Sequence, residues 1–200
     1  MAPQISIQPG FADAVAQSQS VFRIAMEAMA RPGRILGVRE ALKPPAPLNP
    51  TTAALLLTLC DLETTVWLDA ALTDTPGVAG FVRFHTGARL VDAPGEAAYA
   101  VVSDGHRMLP LASLAQGTAE YPDRSATLIV QVAELNASGW RLEGPGIRGD
   151  QMFSASPLPD DFVQQARGNR GRFPCGVDMF FTTDKEVAAL PRSTRLTEIG

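Results

Sequence analysis

The chain has 200 residues, a net charge of −4, 46% hydrophobic and 19% charged residues, the balance of an ordinary globular protein and not of a disordered or fibrous one. A domain of this size hides roughly 70% of the surface its unfolded chain exposes, and the negative net charge argues against a nucleic-acid ligand. Arg23 is the first basic residue, so the start lacks the charged head of a secretory signal, and the densest apolar run, Ala53 to Cys60, is broken by Thr58 and falls far short of the roughly 20 residues that span a bilayer.

These features predict one cytoplasmic domain over residues 1–200, without a membrane segment. Phe11, Val15, Ser18, Phe22, Met26 and Met29 recur at helical spacing, and Pro32-Gly33 ends the pattern. The segment "GRILGVRE" reads as a strand and "KPPAPLNP" as a loop. Asn49 can cap, and Pro50 can open, a helix over "TTAALLLTLCDL" whose apolar residues wrap nearly all round it, the mark of a buried helix. Further on, "TTVWL", "ARLV" and "AAYAVVSDG" read as strands and "GVAGFVRFHTG" as a helix closed by Gly87.

The run "ATLIVQVAEL" is apolar without alternation, as in a strand covered on both faces, and is the candidate sheet centre. "GWRLEGPGI" reads as a strand with a Gly-Pro-Gly turn, "LPDDFVQQAR" as a helix, and "VDMFFTTDKEVAALP" as a hairpin turning at Thr183-Asp184-Lys185. This alternation predicts an α/β fold in three layers, α/β/α, with a mixed sheet and a C-terminal hairpin.

Chemical motifs are sparse. Neither G-x-G-x-x-G nor G-x-x-x-x-G-K-[ST] occurs, and G-x-S-x-G is absent, so nucleotide loops and a nucleophile elbow have no support. His85, His106, Cys60 and Cys175 are scattered, without metal-ligand spacing. His85, at a helix end, is expected to bond the last carbonyls of that helix. Cys175 is expected to be a small buried hydrophobe. Asp178 lies among Val177, Met179, Phe180 and Phe181. It is either a general base with a raised pKa, or a structural group paired with an arginine or capping backbone donors; the second reading is preferred because no partner completes a catalytic set.

The segments "FRIAMEAMARPGR", "LNPTTAALLLTLCD", "VRFHTGARLV", "ATLIVQVAEL", "RLEGPGI", "FPCGVDMFF" and "ALPRSTR" together resemble the PhnH family, the H subunit of the bacterial carbon-phosphorus lyase system, over nearly the whole chain. The most specific are Arg31 to Gly33, Phe173 to Asp178 and Leu190 to Thr194. The resemblance implies a non-catalytic member of a core complex with the G, I and J subunits. That complex joins phosphonate to the ribose C1 of ATP with loss of adenine, before a radical step on the J subunit. It also implies a fold similar to the large domain of pyridoxal-phosphate-dependent transferases without that cofactor. A subunit built for a complex exposes an apolar interface that must be covered when its partners are absent, so a homodimer is expected of the isolated chain.

The two lysines, Lys43 in a proline loop and Lys185 in a hairpin turn, are badly placed for a Schiff base, so no cofactor is expected. The candidate structural or docking residues are Arg31, Asp178, Arg192 and Arg195, with the last two expected at docking or anion contacts. Two other readings remain: an independent enzyme using Asp178, His85 and Arg192, and a phosphonate- or nucleotide-binding module using the arginines at 31, 34, 192 and 195.

Overall fold

The computed structural model describes residues 7–149 and 151–198. In chain order the elements are α1 (Ala14–Ala30), β1 (Leu36–Gly37), α2 (Pro50–Leu59), β2 (Thr65–Leu68), α3 (Ala70–Thr73), α4 (Pro76–Thr86), β3 (Arg89–Leu90) and β4 (Tyr99–Val102). There follow β5 (Thr127–Gln131), β6 (Glu134–Glu143), β7 (Gln151–Ser156), α5 (Phe162–Arg170), β8 (Asp178–Thr182), β9 (Glu186–Leu190) and β10 (Arg195–Thr197).

Seven strands form the main sheet in the order β1-β9-β8-β5-β4-β2-β3. The five from β8 to β3 are parallel; β9 pairs antiparallel to β8, and the short β1 pairs antiparallel to β9 at the edge. Strand β5 is central, and its Leu128, Ile129 and Val130 are fully buried. Its apolar run stops short of the predicted length, because the chain leaves the sheet at Val132-Ala133 and starts β6 at Glu134. The hairpin β8–β9 turns where the sequence places it.

Side-chain alternation divides the core in two. Ile129 and Phe180 point to one face, where α1, α2 and α4 supply Val21, Ala25, Leu55, Leu56 and Phe81. Leu128, Val130, Met179 and Phe181 point to the other. That second face is not covered by helices alone, as a three-layer α/β/α sandwich would have it. A separate antiparallel sheet, β10-β6-β7, lies there with α5 and short 3-10 turns. Strand β7, which the sequence reading left out, supplies Phe153 to this layer, where it meets Trp140 and Phe181.

Local chemistry explains the helix ends. Asn49 accepts from Thr52 N at 2.7 Å with Pro50 in the first turn of α2, the cap expected. Asp13 does the same for α1 through Ala16 N. Pro32 cannot continue α1, and Gly33 takes φ +75 where an added Cβ would sit 2.3 Å from Leu142 Cδ1, so glycine is required on both counts.

Candidate docking surface

The face of α1 that packs is not the one its periodicity suggests. Val21, Ala25 and Ala28 are buried against α2 and β9, whereas Val15, Phe22 and Met26 are 71%, 48% and 57% exposed. Small side chains at 21, 25 and 28 let the helix lie close to its neighbours, and the larger stripe is left outside. Val15, Phe22 and Met26 share one helix face, as their spacing predicts, and that face lies outside the core. An exposed apolar row of this kind marks a contact surface more than an accident of composition.

Beside this row a groove of about 380 Å³ runs between α1 and the starts of the parallel strands, with Phe22, Met26 and Met29 on one side and Leu59, Phe180 and Pro191 on the other. Tyr99, Thr127 and Asp178 also line it. Methionine and phenylalanine suit a surface that adapts to a protein side chain.

At the end of the groove Asp178 accepts from Arg192 N at 2.8 Å and from Arg192 Nε at 3.1 Å on Oδ1, while Oδ2 takes Nη2 and Nε. The remaining nitrogen of Arg192 donates to Pro122 O at 2.8 Å and to Pro174 O at 3.4 Å. The pair is 22% and 16% exposed. This forked contact ties the start of β8 to the end of the hairpin and to two loops, and it engages both carboxylate oxygens. Of the two roles expected for Arg192, structural or docking, these contacts are of the structural kind, with its guanidinium engaged inside the fold.

Asn169 of α5 holds the residue before β8 from both sides, donating to Val177 O and accepting from Val177 N, each at 2.8 Å. Gly176 takes φ +113 and an added Cβ would meet Asn169 Oδ1 at 2.8 Å. The segment "FPCGVD" is thus tied down by backbone geometry and by Asn169.

The other candidates lie elsewhere. Arg195 is on β10 of the smaller sheet, exposed, with Nη1 3.2 Å from Glu143 Oε2. Arg31 caps α1 through its backbone, with an exposed side chain, and Arg34 pairs with Glu27 at 2.6 Å. Arg34 N donates to Arg31 O at 3.1 Å, while the side chains of Arg34, Arg192 and Arg195 pair with three different acids, Glu27, Asp178 and Glu143. His85 Nε2 meets Gln8 O at 2.9 Å, not the last carbonyls of α4 as expected, and its ring packs on Phe81 and Phe84. Cys175 is part-exposed, not buried as expected.

Open α/β sheets usually take ligands at the carboxyl ends of their strands, and here those ends are sewn to the protein's own polar groups. Ser103 donates to Asp69 Oδ2 through both N and Oγ at 2.7 Å. Gln131 accepts from Asn49 N at 2.7 Å and donates to Pro47 O and Ser103 O. Thr182 meets Thr52 at 2.7 Å. Sequence reading missed this network, whose signal is a polar residue closing each apolar strand: "TVWLD", "YAVVS", "TLIVQ" and "MFFT". A concavity of about 1040 Å³ between Gly37–Leu42 and Thr183–Glu186 is lined by Arg39, Glu40, Asp184 and Lys185 and by no histidine or cysteine. Among the described residues no cluster suits a metal ion, and no helix is long and apolar enough to cross a membrane.

Burial pushes the Cys60 thiol up to about 12, with Asp61 adding to it, and pushes the Tyr99 phenol up to about 12, with Cys60 and Asp61 adding to it. The folded chain therefore keeps two protons that the unfolded chain releases from about pH 9 upward. The stability contributed by these two groups is fully present at neutral pH and is expected to be lost between about pH 9 and 12. Urea unfolding at about pH 8 and 10.5, with Cys60→Ala as control, checks this; an unchanged midpoint in the wild type contradicts it.

Residues 9–197 match the family described as bacterial phosphonate metabolism protein (PhnH). The chain is 41% identical over 198 residues, 98% of each chain, to "Alpha-D-ribose 1-methylphosphonate 5-triphosphate synthase subunit PhnH" of Rhizobium meliloti (strain 1021). It is 31% identical over 186 residues, 92% of this chain and 88% of the relative, to "Putative C-P lyase subunit protein HtxG" of Stutzerimonas stutzeri. The chain belongs to the PhnH family.

Proposed function

We propose that this PhnH-family chain is a non-catalytic subunit of the carbon-phosphorus lyase core complex, required for transfer of phosphonate to the ribose C1 of ATP with release of adenine. The observation that carries the reading is the outward row Val15, Phe22 and Met26 beside an apolar groove, a surface suited to another subunit and not to a small polar substrate. It is supported by the relatives' names, each that of a subunit. It is supported too by the saturation of the two places where chemistry would be sought, Asp178 by Arg192 and the strand ends by the network around Asp69 and Gln131.

The partners in this reading are the G, I and J subunits, in the cytoplasm, with one of them covering the α1 row. In their absence a second copy would cover it, giving the homodimer of the isolated chain. The reading extends to fold: a mainly parallel sheet with one antiparallel strand, β9, is compatible with likeness to the large domain of pyridoxal-phosphate-dependent transferases, without the cofactor.

The test is reconstitution. Adenine release from ATP and methylphosphonate is expected from the four subunits together and not from this chain alone, and omitting this chain should abolish it. Adenine release by the chain alone would make it an enzyme in its own right.

A further inference from the structure

Away from the docking row, three arginines converge. Arg167 and Arg170 lie three residues apart in the last turn of α5 and so share a side. Arg195 and Thr197 flank the buried Leu196 on β10 and so share the outward side of that strand. Helix α5 packs on β10, and Arg167, Arg170, Arg195 and Thr197 line one cavity of about 490 Å³.

Their internal partners leave most of the donors unspent. Each guanidinium carries five N–H groups. Arg167 Nε reaches Leu196 O at 3.5 Å, and its Nη2 stands 3.7 Å from Glu198 Oε2. Arg195 Nη1 is 3.2 Å from Glu143 Oε2, and both residues of each acid pair are about half exposed or more. Arg170 lies over the Phe173 ring at 5.2 Å, with no acid partner among the described residues. Basic residues in a last turn offset the negative end of a helix, which accounts for Arg167 and Arg170. It does not account for Arg195, which comes from a strand.

Forked cations on several sides of one concavity match a ligand with phosphoryl oxygens spaced along a chain, where each guanidinium takes a different group. We propose that the cavity between α5 and β10 binds an oligophosphate, the triphosphate of a nucleotide or a free polyphosphate. This goes beyond the subunit reading and requires no partner, so its failure leaves that reading untouched.

The experiment is calorimetric titration of the full chain at about 150 mM salt with tripolyphosphate, ATP and inorganic phosphate in turn. Saturable binding of tripolyphosphate is expected, with phosphate at least about tenfold weaker. Arg170→Ala with Arg195→Ala should weaken tripolyphosphate by at least about tenfold, and Arg170→Lys with Arg195→Lys by less, because charge remains while the forks are lost. The lysine pair also serves if the alanine pair fails to fold. Glu143→Gln should tighten binding by removing a competing carboxylate.

ATP binding equal to tripolyphosphate identifies the phosphate chain as the whole ligand. Tighter ATP binding that falls by the same factor in the variants adds a nucleoside contact and keeps the site. Absence of tripolyphosphate binding, wild-type affinity in the alanine and lysine pairs, or equal binding of an acidic peptide such as oligoglutamate overturns the proposal.

Discussion

Replacing Arg192 with alanine is expected to destabilise the fold by about 3 kcal/mol, a fall in melting temperature of roughly 6–12 °C for a chain of this length. The loss has three parts. Asp178, 22% exposed as a side chain, is left with the Arg192 backbone N–H as its one remaining partner from that residue. Pro174 O loses its Arg192 donor, and Pro122 O keeps only the longer contact from Ser125 N at 3.4 Å. The end of the hairpin loses the contact that fixes it against the start of β8.

Asp178→Asn should cost less, about 1–3 kcal/mol, since an amide oxygen can still accept the backbone bond. The two changes together should cost clearly less than their sum, because each breaks the same contact. Arg195→Ala, whose pair with Glu143 is exposed, should alter stability by no more than about 0.5 kcal/mol. Thermal unfolding of the four variants decides it; an Arg192→Ala protein that melts with the wild type contradicts the clamp.

Much of the scaffold was legible in the sequence, for identifiable reasons. Asn49-Pro50 announces the start of α2 because capping chemistry is local, and Leu128-Ile129-Val130 announces the central strand because an unbroken apolar run suits cover on both faces. Covering layers are harder. Strand β6 carries largely exposed residues, and β7 is short and partly polar, so neither shows the apolar run that marked β5. The pairing of β10 with β6 joins residues more than fifty positions apart, which no local pattern records.

The site divides in the same way. Asp178 stands out as a carboxylate in an apolar run, and an arginine partner was one of its expected forms. That the partner is Arg192, fourteen residues on, follows from the hairpin register, in which Met179 faces Leu190 and so brings Asp178 beside the residues after β9. The buried side of α1 is not legible from spacing, because a helix with alanines on one face and larger apolar residues on the next carries two stripes at the same period. Only the packing partner selects between them.

The central claim is that the outward row of α1 is where this chain meets another subunit of its complex. Replacing Phe22 and Met26 with glutamate puts two charges on exposed positions, so folding stability should change by less than about 1 kcal/mol. The same charges would have to be buried unpaired in an interface, at several kcal/mol. Co-purification of the tagged Phe22→Glu/Met26→Glu chain with the G, I and J subunits from cells expressing all four should therefore fall by about a hundredfold or more, while its melting temperature stays near that of the wild type. Recovery of the intact complex at wild-type yield would place the docking surface elsewhere.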